Sequence, residues 1–248
     1  MIDYIPPPDL LKERIILVTG AGNGLGRTAA RSFAAYGATV ILLGRTEQNL
    51  NETYDLIEQA GDPEPAILKL DLQTAGEQEY YALGETLYQE FGRLDGLLHN
   101  AAQLALLSRI DDYDLNSWNK ILQINLTAPF ILTQACLPLL RRSQDASILF
   151  TSDPVGRRGK AYWGAYGVSK FALEGLMQIL ADELEHSPIR VNSIAPGPVR
   201  SRIRALAYPG EDPNSLPDPE SIMPAYLYLM GPDSRGVTGE AFDAQPQA

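Results

Sequence analysis

Cysteine and long apolar runs are both scarce in this sequence of 248 residues. The chain has one cysteine, Cys136, so an internal disulfide is excluded and a reducing cytosol suits the chain. Because Cys136 stands in an apolar run, we expect a buried structural thiol rather than a reactive one. No uninterrupted apolar run approaches the roughly 18 residues of a membrane span, and the proline-rich N-terminus lacks the pattern of a signal peptide. We therefore expect a soluble, cytoplasmic protein without a membrane partner.

Positive charge is scarce as well. The chain carries 20 Lys and Arg residues against 31 Asp and Glu residues, which gives a net charge of −11. An acidic surface repels a phosphate backbone, so we expect no nucleic-acid partner, and any group that binds a phosphate must be a local one. We assign no metal site. The length and the apolar content of 45% fit one α/β domain with a substantial core.

Seven short runs rich in β-branched residues or leucine alternate with longer helical patterns. Their apolar character is nearly continuous instead of alternating, which predicts strands that are buried on both faces of a parallel sheet. The predicted strands are Ile15–Val18, Thr39–Leu43, Ala66–Leu70, Leu94–His99, Ser147–Thr151, Ile189–Ile194 and Glu240–Asp243.

Helical patterns fill the intervals, and three of them end at or near a glycine that suits a helix C-terminus. We predict one doubly wound α/β domain over residues 14–248, preceded by a surface arm over residues 1–13. Prolines make the segment 200–220 irregular, and it is either a substrate lid or a solvated loop. The predicted helices are Leu25–Tyr36, Thr46–Gln59, Ala75–Phe91, Leu115–Gln123, Thr127–Leu140 and Ala165–Leu184.

A glycine-rich turn, TGAGNGLG over residues 19–26, follows the first predicted strand and opens the first predicted helix. Gly20 permits a sharp turn, Gly24 removes a Cβ that would block a phosphate, and Gly26 lets the helix pack close to the sheet. Around Asn23 and Leu25, the backbone amides and the positive helix end then face a pyrophosphate. The alternative is a glycine-rich turn without a ligand.

The end of the second predicted strand bears on the choice between NAD and NADP. A site for NAD usually has a carboxylate there, which accepts the adenosine 2′-hydroxyl. Here Gly44 brings no charge, and Arg45 brings a planar cation that suits a 2′-phosphate. Alternatively, Arg45 is a solvated residue at a helix start. The sequence favours NADP(H) over NAD(H).

Polar and small residues close the next two predicted strands. Asp71 and Leu72 are candidates to hold an adenine amino group, and Asn100, Ala101 and Ala102 are candidates to line a ribose. All of them fall at the C-terminal ends of successive strands, where ligands of such sheets bind.

Tyr166 and Lys170 stand four residues apart in a predicted helix, so the lysine cation lies one turn from the phenol. A tyrosine with an ordinary pKa of about 10 is a poor base at neutral pH, and a neighbouring ammonium favours phenolate. Alternatively, the pair is a half-buried aromatic and a surface lysine. Together with the glycine-rich turn, the pair predicts hydride transfer between a nicotinamide and a carbonyl or alcohol.

The ordered set of motifs resembles the short-chain dehydrogenase/reductase family from about Ile15 to Asp243. Besides the glycine-rich turn and Asn125, the matching runs are DL at 71–72, HNAA at 99–102, YGVSK at 166–170 and PGPVRS at 196–201. The runs 159–176 and 238–246 look like the bacterial YciK-type subgroup. The resemblance implies a Rossmann-type oxidoreductase fold with strand order 3-2-1-4-5-6-7. It also implies that the helices around 115–140 and 165–184 pair with other subunits in a homodimer or homotetramer.

The resemblance implies a role for each matching residue. Tyr166 would exchange a proton with the substrate oxygen, and Lys170 would reach the nicotinamide ribose. Asn125 would hold a water that links the lysine to solvent; alternatively, it marks a break in an apolar helix or bonds the backbone. The residues implied to contact the nicotinamide amide are Pro196, Gly197, Val199 and Ser201.

One position departs from the family pattern. The spacing to Gly156 and Tyr166 puts Asp153 where the family has a serine that donates a hydrogen bond to the substrate oxygen. An ionised aspartate has no donor. Three interpretations follow: Asp153 is protonated and donates, Ser152 turns into the site because Pro154 re-aims the loop, or the site binds a cofactor without ordinary carbonyl chemistry.

Two functions are therefore open. The first is an NADP(H)-dependent oxidoreductase acting on a small carbonyl or alcohol compound. The second is a non-catalytic NADP(H)-binding sensor or structural subunit, which Asp153 favours and the intact Tyr166–Lys170 pair disfavours. No feature points to an epimerase or a dehydratase. Tyr162, Trp163 and Tyr208 indicate either an apolar substrate pocket or core and subunit contacts.

Overall fold

A sheet of seven parallel strands forms the centre of the computed structural model, which describes residues 4–246. The strand order is β3-β2-β1-β4-β5-β6-β7, as the family resemblance implied. Each predicted strand agrees with the structure to within two residues at either end. The strands are β1 (Ile15–Thr19), β2 (Thr39–Gly44), β3 (Ala66–Lys69), β4 (Gly96–His99), β5 (Ala146–Thr151), β6 (Ile189–Ala195) and β7 (Ala241–Asp243).

Helices cover both faces of the sheet, which confirms the doubly wound, Rossmann-type α/β fold. The six predicted helices are all present, and two short ones that were not predicted follow β6. The helices are α1 (Gly24–Ala35), α2 (Glu47–Ala60), α3 (Glu77–Phe91), α4 (Leu115–Leu122), α5 (Ala128–Leu140), α6 (Gly164–Glu183), α7 (Arg202–Ala207) and α8 (Met223–Met230).

Neighbouring residues of one strand point to opposite cores. Leu17 packs with α3, α5 and α6 on one face of the sheet, while Ile16 and Val18 pack with α1, α2 and α8 on the other. All three side chains are fully buried. Successive side chains of a strand point to opposite faces, so a strand buried on both faces must be apolar throughout, as the sequence indicated.

The missed helix α8 closes the second core. Tyr226, Leu227 and Leu229 of this helix are buried there. Its eight residues are apolar nearly all round, so no 3.6-residue periodicity marks it in the sequence. The other missed helix, α7, lies inside the irregular segment 200–220. That this segment acts as a lid stays a prediction.

Helices α4 and α5 join into one element through a π-helical turn, Gln123–Thr127. Within residues 4–246, this joined helix is the single one long and apolar enough to cross a membrane by length and composition. Half of its most apolar window is buried in the fold. It packs closely on α3, since a Cβ added at Gly84 would lie 2.8 Å from the carbonyl oxygen of Ala135. We therefore assign it to the core.

The N-terminal arm is only partly on the surface, which corrects the prediction for residues 1–13. Leu10 and Leu11 are buried in the core beside α1 and α8, and the Leu11 amide donates to the Tyr36 carbonyl at 2.9 Å. When the arm docks there, the apolar surface of both leucines is removed from water, which stabilises the fold. Residues 1–3 lie outside the described part of the chain.

We expect Leu11→Ala to lower the free energy of unfolding by about 2–5 kcal/mol, because it empties a fully buried site. Urea unfolding monitored by circular dichroism measures the change. Ile5→Ala is the matched control, since Ile5 is 90% exposed, and it should change the stability by less than about 0.5 kcal/mol. Equal effects of the two substitutions would show that the arm does not dock.

Candidate active site

The C-terminal ends of the parallel strands meet at one edge of the sheet, where they border a cleft of about 1240 Å³. Most of the predicted site residues line this cleft, although they come from many separate segments of the chain. Gly26 and Asn125 do not line it. The predicted residues that do are Gly20, Asn23, Gly24, Leu25, Arg45, Asp71, Leu72, Asn100, Ala101, Ala102, Ser152, Asp153, Tyr166, Lys170, Pro196, Gly197, Val199 and Ser201.

The glycine-rich turn connects β1 to α1 at the floor of the cleft. Gly20 has a φ of +70°, which L side chains rarely adopt. At Gly26 a Cβ would collide with the Gly20 carbonyl oxygen, whereas a Cβ at Gly24 would meet nothing within 4 Å. The Asn23 side chain accepts from the Gly24 amide at 2.7 Å and caps α1. The turn is therefore closely packed at Gly26 and open toward the cleft at Gly24, as a phosphate-binding turn requires.

Thr19 is a member of this turn that the sequence analysis did not assign to the site. Its hydroxyl accepts from the amides of Asn100 and Ala101, both at 3.0 Å, and donates to the Leu98 carbonyl. The ends of β1 and β4 are thereby tied together. Its place at the head of the TGAGNGLG run was the available signal.

The β2 end of the cleft carries one free cation. Arg45 is exposed and forms no hydrogen bond or ion pair among residues 4–246. Gly44 precedes it, and a Cβ at this position would lie 3.1 Å from Leu50 Cδ2, a close contact. Asp71 follows β3 and caps its own turn by accepting from the Gln73 amide at 3.0 Å. Beside Arg45, the end of β2 holds no carboxylate.

Tyr166 and Asp153 are in direct contact. The Tyr166 hydroxyl donates to Asp153 Oδ2 at 3.2 Å, and Asp153 Oδ1 accepts from the Val155 amide at 3.0 Å. Burial, and then the Asp153 carboxylate, raise the pKa of Tyr166 well above its ordinary value. We expected Lys170 to favour phenolate, and the structure differs: the phenol is 3% exposed, so losing water disfavours its charged form.

Lys170 lies below Tyr166 with its ammonium inside the fold. Its Nζ donates to the Thr151 carbonyl at 2.6 Å and lies 5.6 Å from the centroid of the Tyr166 ring. Burial lowers the pKa of Lys170 from 10.5 to about 8, although Asp153 and Glu174 act in the opposite direction. The alternative of a surface lysine is therefore excluded, since Lys170 is 2% exposed.

Asn125 sits in the π-helical turn between α4 and α5, buried behind the cleft. Its side-chain amide donates to the Gln103 carbonyl and to Ser169 Oγ, both at 3.0 Å, and its oxygen accepts from the Gln103 amide at 2.8 Å. The side chain thus bonds the backbone of the irregular segment that follows β4, which was the alternative interpretation of this residue. That Asn125 holds a water stays a prediction.

Ser152 borders the cleft, but its hydroxyl is bound to Glu174 and not directed at Tyr166, which disfavours the interpretation that it replaces the family serine. Its hydroxyl donates to Glu174 Oε1 at 2.6 Å. Ser193 donates to the other oxygen of Glu174 at 2.6 Å, and Arg157 Nε donates to Oε1 at 3.2 Å. Since successive side chains of an extended segment point in opposite directions, Asp153 faces the cleft.

Glu174 and Arg157 are therefore two site residues that the sequence analysis missed. Arg157 continues from Glu174 to Asp243 at 3.0 Å and to the Phe242 carbonyl at 2.9 Å, so the pair joins α6 to β7. The one signal in the sequence was the position of Glu174, four residues after Lys170 in an otherwise apolar helix.

Aromatic and aliphatic side chains form the β5–β6 end of the cleft. The rings of Trp163 and Tyr166 lie 5.6 Å apart, and those of Trp163 and Tyr208 lie 6.2 Å apart. Leu104 and Val155 pack with them. The indicated apolar pocket thus includes Trp163 and Tyr208 but not Tyr162, which is 56% exposed and does not line the cleft.

Comparisons with known proteins agree with this geometry. A family model described as short chain dehydrogenase matches residues 14–212. The oxidoreductase YciK of Escherichia coli (strain K12) is 49% identical over 98% of this chain and 96% of its own. The structure of a short chain dehydrogenase from Pseudomonas syringae is 55% identical with a TM-score of 0.97, over 99% of this chain and 100% of that one. A short chain dehydrogenase from Shigella flexneri, crystallised with NADP, is 50% identical with a TM-score of 0.95, over 97% and 100%.

The buried ammonium should make stability depend on pH. Above pH 8 the folded chain has lost the Lys170 proton, while the unfolded chain keeps it to about pH 10.4. The unfolded state then binds more protons, so this group makes unfolding less favourable as pH rises, by about 1.4 kcal/mol per unit between pH 8 and 10. The free energies of unfolding of wild type and Lys170→Met, measured in urea from pH 7 to 10, should diverge accordingly.

Lys69→Met is the matched control for this experiment, because the Lys69 side chain is 61% exposed. Its difference from wild type should stay constant with pH. A constant difference for Lys170→Met as well would contradict the lowered pKa.

Proposed function

The chain belongs to the short-chain dehydrogenase family, and from that premise we propose that it is an NADP(H)-dependent oxidoreductase that reduces a carbonyl group. The observation that carries this proposal is the pairing of buried Tyr166 and Lys170 in one cleft with the open glycine-rich turn. A side chain that can transfer a proton and a surface that can cradle a dinucleotide thereby meet at the same strand ends.

The residues of the cleft fit NADP(H). The turn at residues 20–26 is closed on the sheet side and open toward the cleft, so backbone amides can approach a pyrophosphate. Free Arg45 suits a 2′-phosphate better than a 2′-hydroxyl. Gln245 holds the loop after β6 by donating to the carbonyls of Pro196 and Pro198 at 2.8 and 3.1 Å, and Gly197 in this loop would contact a nicotinamide amide, as the family resemblance implies. When bound, the cofactor supplies or accepts the hydride.

Tyr166 acts as the proton donor in this proposal. Because its pKa is raised, the phenol is protonated at neutral pH and carries a proton that it can donate. That protonation state favours the reduction of a carbonyl, in which the substrate oxygen gains negative charge and then a proton. Lys170, with its ammonium bound to the Thr151 carbonyl, stabilises the phenolate that remains and reaches the ribose hydroxyls.

Asp153 takes the position of the missing serine. We propose that the substrate oxygen binds between the Tyr166 hydroxyl and Asp153 Oδ2, which are in contact before it arrives. An ionised carboxylate there would repel the growing charge. In this proposal the neutral form of Asp153 is therefore the one that donates to the substrate oxygen.

Substitutions of Tyr166, Asp153 and Ser152 test which of these side chains donates to the substrate oxygen. Tyr166→Phe should lower kcat/KM for carbonyl reduction with NADPH by about 10²- to 10⁴-fold. Asp153→Asn places an amide donor at this position, so it should retain carbonyl reduction. Ser152→Ala is the comparison variant, and it should lower kcat much less than Tyr166→Phe, because Glu174 keeps Ser193 and Arg157 as donors.

Two outcomes would contradict this scheme. A large loss in Ser152→Ala alone would make Ser152 the donor. NADPH binding without turnover on any carbonyl, and unchanged by Tyr166→Phe, would favour the alternative function that Asp153 suggests, a sensor or structural subunit that binds NADP(H) without catalysis.

Arg45 should determine the preference for the phosphorylated cofactor. Arg45→Gln should weaken NADPH binding by about 10- to 100-fold, the range expected for a hydrogen bond to a charged group, and leave NADH binding unchanged. Fluorescence titration measures both dissociation constants. Arg31→Gln, at an exposed position of α1 outside the cleft, is the control. An equal loss for both cofactors would contradict the assignment.

We also propose a homo-oligomer. Large apolar side chains remain exposed on the joined helix α4–α5 and on α6, where the family resemblance implied contacts between subunits. They are Leu115, Phe130, Val168, Phe171 and Ile179.

A further inference from the structure

The cleft reverses the charge balance of the chain. The whole sequence has 20 basic and 31 acidic residues, whereas the residues that line the cleft include seven Lys or Arg and three Asp. A cleft of one predominant sign raises the local concentration of ligands of the opposite sign. The 2′-phosphate of NADP(H) would account for only part of this positive charge.

The cations stand at two separate ends of the cleft. Arg45 follows β2, while Arg158 and Lys160 follow β5, and Arg202 follows β6. Three strand spacings separate β2 from β5 in the sheet order, which is about 14 Å at roughly 4.8 Å per strand. A 2′-phosphate bound at Arg45 would therefore lie at the end of the cleft opposite the second group.

Two further arginines of the cleft already have partners. Arg157 is paired with Glu174 and Asp243. Arg204 makes two hydrogen bonds of 2.6 Å to Glu211. The side chains of Arg158 and Arg202, in contrast, form no hydrogen bond or ion pair among residues 4–246, although both residues line the cleft. Their charges are available to a ligand.

Lys160 is bound to Tyr208 at the β5–β6 end of the cleft. Lys160 Nζ donates to the Tyr208 hydroxyl at 3.1 Å, and the Arg204 guanidinium lies 3.8 Å from the centroid of the same ring. Trp163 separates this group from Tyr166 by ring spacings of 5.6 and 6.2 Å. A ligand that reaches from the catalytic phenol to the cations thus crosses an apolar surface.

We propose that the substrate is an amphiphilic carbonyl compound with a carboxylate or phosphate group, which Arg158, Lys160 and Arg202 bind. The inference rests on the proposed function, since it assigns the carbonyl to Tyr166. The carbonyl lies at the phenol, the carbon chain lies on Trp163, and the anion lies beyond Tyr208. Oxygen anions accept charge-assisted hydrogen bonds from these side chains.

Matched pairs of carbonyl compounds test the proposal. Levulinate, a long-chain keto acid with its ketone at the far end, and dihydroxyacetone phosphate are compared with methyl levulinate, the keto acid methyl ester and dihydroxyacetone. Binding to the NADP⁺ complex is followed by tryptophan fluorescence, because Trp163 lines the cleft, and kcat/KM is measured with NADPH. At least one anion should bind about tenfold more tightly than its neutral counterpart, with a preference that falls as salt rises.

Charge-removing variants locate the effect. Arg158→Gln, Lys160→Gln and Arg202→Gln, singly and together, should reduce the preference for the anion at least severalfold and leave the binding of the neutral compounds and of NADPH within about twofold. Arg142→Gln is the control: Arg142 lies over the Tyr88 ring at the opposite edge of the sheet. Because Arg158, Lys160 and Arg202 are exposed, substituting them should leave the stability of the fold nearly unchanged.

The outcomes separate the inference from the proposed function. Equal binding of every anion and its neutral counterpart would overturn the inference, and so would variants that weaken NADPH binding instead, since the cations would then serve the cofactor. A preference for the anion in binding, without turnover of any pair, would uphold the inference and reject the reductase.

Discussion

The hydrogen bonds of the buried Glu174 carboxylate hold together α6 and the ends of β5, β6 and β7, which form the side of the cleft where Tyr166 and Asp153 lie. It accepts from Ser152 at the end of β5, from Ser193 in β6 and from Arg157, which continues to β7. A carboxylate that is 6% exposed is stable only when its oxygens have donors. Three strands and α6 are therefore held in one register, and the residue after Ser152 has to face the cleft.

This arrangement leaves Asp153 on the cleft side of the loop that follows β5. With Ser152 bound to Glu174, Asp153 is left to contact Tyr166 and to cap the following turn through the Val155 amide. The neighbouring ammonium of Lys170 partly balances its charge. Phenol, carboxyl and ammonium lie together in a region of low water content, where small changes in burial decide which group carries a proton.

The elements that the sequence predicted are those with a strong local pattern. The apolar run Ile15–Val18 has to be a strand buried on both faces, and Gly20 and Gly26 permit the tight turn that follows it. Helix α8 was missed because an apolar surface all round leaves no periodicity. Leu11 was taken for part of a surface arm because three prolines before it suggested an extended chain, whereas its burial depends on a groove formed by distant residues.

The sequence by itself determined the seven strands, the six longer helices, the glycine-rich turn and the positions of Tyr166 and Lys170 one helical turn apart, because each depends on neighbours within about 30 residues of the chain. The tertiary structure decided which of Ser152 and Asp153 faces the cleft, in which direction the Tyr166 pKa moves, and which arginines stay unpaired. Those properties depend on burial and on partners such as Glu174, Asp243 and Glu211 that only the folded chain brings together.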